Sequence, residues 1–168
     1  YAMNRACIQI QDEVRREPRY RGMGTTLTVL LVENEMAHCS HVGDSRLYIF
    51  RDRELRRLTR DHTVVQSEID AGRLTPELAR VVPHKNILTQ SIGFSGSVDP
   101  DTSTRPIDEG DIFLLCSDGL TDPLDDTQLE EIIRSTPFEF LALELVQQAL
   151  DNGSEDNVTV VVVKIVEL

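Results

Sequence analysis

Ala2, Ala6, Ile10 and Val14 recur four residues apart with Met3 and Cys7 beside them, a period that predicts an amphipathic helix over about residues 2–16. No Ser, Thr, Asp or Asn precedes it as a cap, so the chain reads as entering this helix partway along. Beyond Leu27 the period changes. Leu27 to Val32, Ala37 to Val42, Leu47 to Phe50 and Leu55 to Leu58 are short apolar or alternating runs, which predict a meander of antiparallel strands. The polar breaks "VENEM" and "FRDREL" are short enough for hairpins, although neither holds an Asn-Gly or Asp-Gly pair.

From about Arg60 to Gly93 the chain turns polar and helical, an excursion from the strands. "DHTVVQSEIDAG" closes on a glycine stop, and "TPELAR" places Thr75 as a cap with Pro76 at the first helical position. "RPIDEGDIFLLCSDGL" then predicts an acidic turn and a buried strand, Ile112 to Cys116. "TQLE", Thr127 to Glu130, has capping-box spacing ahead of a helix. A further helix after Pro137 carries Leu141, Leu145 and Ala149 on one face and stops near "DNG", and "NVTVVVVKIV" reads as a closing strand. There is no internal repeat, low-complexity tract or interdomain linker.

A chain of 168 residues has the size of one ordinary domain. Its 40% apolar and 27% charged residues exclude a disordered or fibrous protein. The formal net charge of -12 opposes binding to nucleic acid or an anionic membrane and favours cations or basic partners. Cys7, Cys39 and Cys116 are an odd number without CxxC spacing, which predicts reduced core residues and fits a cytoplasmic location. No apolar run reaches the length of a membrane span, and the first ten residues lack the order of a signal peptide.

Three places share one arrangement, an apolar strand beside a tight turn bearing an aspartate: "HVGDSR" with Asp44, "LLCSDGL" with Asp118 and "GSEDNVTVVVV" with Asp156. A carboxylate just outside a strand end is held by rigid backbone with its oxygens exposed, as a hard divalent cation requires. Each turn taken singly also reads as ordinary backbone capping by Asp, and periodicity does not establish that the three converge. His38, His41, His62 and His84 are neither paired at helical spacing nor joined to cysteines, so zinc, copper and iron sites are poorly supported. "DNGSEDN" has its glycine at the third position rather than the sixth, which rejects an EF-hand.

"RGMGTTLT", "HVGDSRLY", "LTRDHT", "GDIFLLCSDGLTD" and "EDNVTVVVV", in this order and at these separations, resemble the later motifs of the bacterial PPM/PP2C metal-dependent serine/threonine protein phosphatases. The resemblance runs from Gly22 to Ile165. It implies an α+β fold, an α-β-β-α sandwich of two mostly antiparallel sheets flanked by helices, in a single partial domain over 1–168 with a flap-like excursion at approximately 60–93. It implies that Asp118 and Asp156 are ligands of a binuclear Mn2+ or Mg2+ centre, and that Asp44, with Asp118, binds a third ion. In such enzymes a metal-bridging water attacks the phosphorus of phosphoserine or phosphothreonine in line, without a phosphoenzyme. The partners it implies are phosphorylated proteins, substrates of a cognate serine/threonine kinase. His62 and Arg73, in the flap-like segment, are candidate substrate contacts, Gly22 and Gly24 give a tight entry to the first strand, and Asn157 orders its turn.

The family normally also has an upstream Glu-Asp motif, an Asp-Gly-x-Gly-Gly-like turn and, in many members, a phosphate-gripping arginine; none occurs here. The upstream segment supplies the aspartate that bridges both metals. The resemblance therefore implies an N-terminally truncated domain, with Tyr1 inside the family's second long helix, and a chain that by itself is nearly inactive. The alternative is a pseudophosphatase, a module that binds phosphoproteins or a kinase without turnover.

Overall fold

The structure, a computed structural model, describes residues 2–79, 81–83 and 85–167. Tyr1 and His84 of the readings above lie outside the described residues. The elements run α1 (Ala2–Arg16), β1 (Leu27–Glu33), β2 (Met36–Val42), β3 (Arg46–Arg51), β4 (Glu54–Arg57), α2 (Val64–Asp70), α3 (Pro76–Ala79), β5 (Asp101–Pro106), β6 (Ile112–Cys116), α4 (Asp118–Thr121), α5 (Asp126–Ser135), α6 (Phe138–Asp151) and β7 (Val160–Lys164), with one 3-10 turn at Pro18–Tyr20. The strands are not one meander. They form a three-stranded sheet in the order β1-β2-β5 and a four-stranded sheet in the order β4-β3-β6-β7. β5 carries "DTSTRP" and is mostly exposed, so it lacks the apolar alternation that would announce a strand.

Both short hairpins bend through two consecutive left-handed residues, Asn34 (φ 50) with Glu35 (φ 60) and Asp52 (φ 53) with Arg53 (φ 65). Positive φ at both central positions matches the strand twist, the property that Asn-Gly usually supplies. Here Glu35 and Arg53 take the place of glycine. In the second hairpin the register Arg51↔Glu54 leaves these two residues as the whole loop.

The contacts divide the chain into two compact units. The first comprises Tyr1–Leu31, His38–Asp44 and Arg60–Ser103. Its core gathers Met3 and Cys7 of α1 with Val42, Ile92 and Val98, and Ala6, Ile10 and Leu27 pack against them. The buried stripe of α1 therefore runs through Met3 and Cys7, while Ala2 at its start is exposed. Thr63 caps α2 by accepting from the Gln66 amide at 3.0 Å.

The second unit comprises Val32–Ala37, Ser45–Thr59 and Thr104–Leu168. Tyr48, Leu114 and Cys116 of its sheet pack with Leu129 and Ile133 of α5 and with Leu141, Leu145 and Ala149 of α6. The neighbouring positions Leu47, Ile49 and Phe113 are buried as well, so the central strands β3 and β6 are removed from water on both faces. That is why β6 reads as an unbroken apolar run. The capping box of α5 sits two residues before the one predicted. Asp125 accepts from the Gln128 amide and Gln128 returns a bond to the Asp125 amide, both at 2.9 Å, whereas Thr127 lies inside the helix. Cys7, Cys39 and Cys116 are buried thiols. No helix among the described residues is long and apolar enough to cross a membrane.

Arg51 closes the far end of β3 on the acidic turn before β6. It donates to both oxygens of Asp111 at 2.7 and 2.5 Å, to the Pro106 carbonyl at 3.1 Å, and pairs with Asp108 at 2.7 Å. Asp111 is 1% exposed at its side chain, so the pair is desolvated on the carboxylate side. Removing the cation strands a buried charge, a change worth about 3 kcal/mol. Arg51→Met is therefore expected to lower unfolding free energy by about that amount in urea denaturation. A loss below about 1 kcal/mol is the size of an exposed pair and would contradict the desolvated reading.

Candidate functional site

β6 and β7 are antiparallel with Cys116 paired to Val160. This register puts the residues after β6 and those before β7 at the same end of the sheet. Asp118 lies two residues past Cys116 and Asp156 four before Val160, so pairing alone makes their loops neighbours. Arg46, at the start of β3, also pairs with Cys116.

Side chains and backbone then lock the two loops together. The Ser117 hydroxyl donates to the Asn157 carbonyl at 3.1 Å and accepts from the Thr159 amide at 3.0 Å. The Ser117 amide continues the ladder to the Thr159 carbonyl at 3.1 Å. From the other side, the Ser154 hydroxyl donates to the Gly119 carbonyl at 2.8 Å. Gly119 permits this approach because a Cβ there would lie 2.5 Å from the Asn157 carbonyl oxygen. The Asn157 backbone amide donates to Asp156 Oδ1 at 2.7 Å.

Asp118 is the first residue of α4, a single helical turn that the sequence pattern presents only as a tight turn. Burial pushes its carboxyl above the ordinary aspartate range, and the neighbouring charges of Asp122 and Asp156 push it further. Bonds from backbone amides, including that of Gly119, oppose the shift. Asp122 is thus part of the electrostatics of the site. The i,i+4 spacing of Asp118 and Asp122 on one helical turn is the signal that could have marked it. Asp125 caps α5, and Asp126 accepts from the buried Tyr48 hydroxyl at 3.0 Å.

Asp44 is partly buried in the turn after β2 and follows Gly43. His62, a candidate substrate contact, is 4% exposed and both of its ring nitrogens are engaged. Arg73 is exposed and spends its guanidinium on both oxygens of Glu68, at 2.6 and 2.7 Å. The histidine reading from spacing misses a meeting in space, since the His41 and His62 rings lie 5.1 Å apart.

Asp118 and Asp156 are oxygen donors, partly desolvated at Asp118 and mutually repulsive. Such a pair suits a hard divalent cation, which relieves the repulsion that the fold imposes. Among the described residues no group of three or more His, Cys, Asp or Glu is assembled that could hold a metal ion. The two aspartates would therefore supply only part of the six oxygens that Mg2+ requires.

The sequence pattern described as protein phosphatase 2C matches residues 2–158. The serine/threonine protein phosphatase PstP of Mycobacterium tuberculosis is 40% identical over 158 residues, 94% of this chain and 30% of that protein. Protein phosphatase PhpP of Streptococcus pneumoniae is 41% identical over 156 residues, 92% of this chain and 63% of that protein. The crystal structure of the M. tuberculosis phosphatase superposes with a TM-score of 0.90, covering 96% of this chain and 68% of that one. A second structure, the PstP catalytic domain in complex with 2 manganese ions, gives 0.87 at 40% identity, covering 96% of this chain and 67% of that one. The chain belongs to the protein phosphatase 2C family, and its fold is the family's α+β arrangement of two antiparallel sheets with flanking helices.

The raised carboxyl of Asp118 sets a pH dependence. An acid whose folded-state pKa is raised stabilises the fold when protonated, and this contribution is lost as pH rises through the folded value. Asp118→Asn, neutral at every pH, is expected to melt higher than the parent chain at pH 7 in metal-free buffer. The difference should vanish below pH 3.8, the ordinary aspartate value. A variant that melts at or below the parent at pH 7 would overturn the electrostatic reading.

Proposed function

We propose that this chain carries metal-binding machinery of a Mn2+- or Mg2+-dependent phosphatase acting on phosphoserine and phosphothreonine in proteins. Asp118 and Asp156 would be ligands of a pair of ions and Asp44 a ligand of a further one. The observation that carries this reading is the lock between the Asp118 and Asp156 loops, which holds two repelling carboxylates at one sheet end. Membership of the family, and a relative solved with 2 manganese ions, support the choice of cation and reaction.

Divalent cations supply charge neutralisation at the phosphoryl oxygens and water activation near neutral pH. The chain's own part is positional. Ser117 and Gly119 fix the direction of Asp118, Asn157 fixes that of Asp156, and the sheet beneath keeps both from reorganising as charge develops. Phosphorylated proteins, made by a serine/threonine kinase, are the substrates this chemistry fits. By themselves the 168 residues are expected to turn over little, because the described carboxylates do not assemble a group of three or more.

The test is Mn2+-dependent hydrolysis of p-nitrophenyl phosphate and of a phosphothreonine peptide, by the 168 residues and by the longer product, if any, that the gene encodes. In the active form Asp118→Asn should lower kcat/KM at least about a hundredfold, since groups that merely support a metal ligand already give losses of this order. Activity indifferent to Asp118→Asn would refute the metal assignment. Robust turnover by the 168 residues alone would refute the incomplete-site argument, and phosphopeptide binding without turnover in every form would favour a binding module.

A further inference from the structure

His62 lies in the first unit, where it is tied to the turn that carries Asp44. Two reciprocal bonds join it to Gly43. The His62 amide donates to the Gly43 carbonyl at 2.7 Å, and the Gly43 amide donates to His62 Nδ1 at 3.2 Å. Because Nδ1 accepts from a backbone amide, the ring proton belongs on Nε2, which faces Asp101 Oδ2 at 3.3 Å. The Thr89 amide donates to the His62 carbonyl at 2.8 Å, and the His41 ring packs against the His62 ring. His41 is itself held through Nδ1 by the Thr28 hydroxyl at 2.9 Å.

Gly43 has little freedom of its own. Its φ is +113, and a Cβ would lie 2.4 Å from Thr26 Cγ2. Only glycine fits, and glycine is the residue that holds its conformation least well unaided. The Gly43 amide points at one side-chain acceptor, and that acceptor is on a residue 19 positions along the chain. Burial and engagement of both nitrogens leave His62 no edge for a substrate.

We propose that His62, oriented by Asp101, is a positioning residue that sets the Gly43–Asp44 turn and so aims the Asp44 carboxylate at its cation. This rests on the reading of Asp44 as a cation ligand given above. The arrangement is that of a histidine held by a carboxylate, used here to fix a backbone amide next to a ligand instead of ligating directly. Partners at this remove typically change metal affinity by about 10–100-fold when lost.

Two variants separate positioning from mere packing. Asn places its Oδ1 near the site of His Nδ1 and can still accept from Gly43, whereas Gln reaches toward the Nε2 position and leaves the Gly43 amide without its acceptor. In the 168-residue chain, His62→Gln is expected to speed hydrogen exchange of the Gly43 amide about tenfold or more, and to weaken the Asp44-dependent part of Mn2+ binding about tenfold. His62→Asn should stay within about twofold of the parent in both. Should His62→Gln fail to fold, Asp101→Asn, at an exposed carboxylate, carries the same expectation of faster Gly43 exchange. Unchanged Gly43 exchange in the folded His62→Gln chain, or equal damage in folded His62→Asn and His62→Gln, would overturn the positioning role. Mn2+ binding unaffected by Asp44→Asn would overturn the cation half of the proposal together with the reading it rests on, while the Gly43 exchange still decides the positioning half.

Discussion

Where β6 ends and β7 begins, the Ser117 hydroxyl bridges the Asn157 carbonyl and the Thr159 amide, and Gly119 lets the two backbones touch. Two loops carrying like charges would otherwise move apart. Burial of Asp118, and behind it Coulomb repulsion from Asp122 and Asp156, oppose the contact and raise the Asp118 carboxyl. The antiparallel register of β6 with β7, and the core of α5 and α6 against their sheet, supply the rigidity that holds the loops in place. On the reading proposed above, a pair of acids kept together against their own repulsion would carry affinity for a cation.

The residue types follow from that constraint. Ser117 must be small enough to sit at the strand end and polar enough to serve both a carbonyl and an amide. Gly119 must lack a Cβ. Asp118 must start α4, where the amides of the first turn partly offset its charge. In the first unit Gly43 has a positive φ and no room for a Cβ beside Thr26, and its amide donates to His62 from a distant stretch of sequence.

Much of this was legible from residues alone where one period dominates. The buried face of α6, Leu141, Leu145 and Ala149, is the one its spacing predicts, and the strand at Ile112 to Cys116 matches β6 residue for residue. β5 was missed because "DTSTRP" owes its place to pairing rather than to hydrophobicity. The separation of β1 and β2 from β3 and β4 was missed because a change of sheet at Gly43 to Ser45 leaves each run's alternation intact. The capping box of α5 went to Asp125 because Asp is the better acceptor at a helix start and Gln128 completes the pair. At the site, turn chemistry could nominate aspartates but not join them. The burial of His62 and its contacts with Gly43 and Asp101 depend on long-range neighbours that no local pattern contains.

By the proposed reading, the lock between the two loops makes Asp118 and Asp156 one cation-binding element. This is tested most directly by Mn2+-induced broadening of backbone amide signals in the 168-residue chain and in Gly119→Ala. The account predicts that amides around 118 and 156 broaden together over the same Mn2+ range in the parent. In Gly119→Ala, whose added Cβ would collide with the Asn157 carbonyl oxygen, broadening of the two groups should require more Mn2+ and lose its coincidence. Absence of broadening at either aspartate in the parent, or a Gly119→Ala titration identical to the parent's, would contradict it.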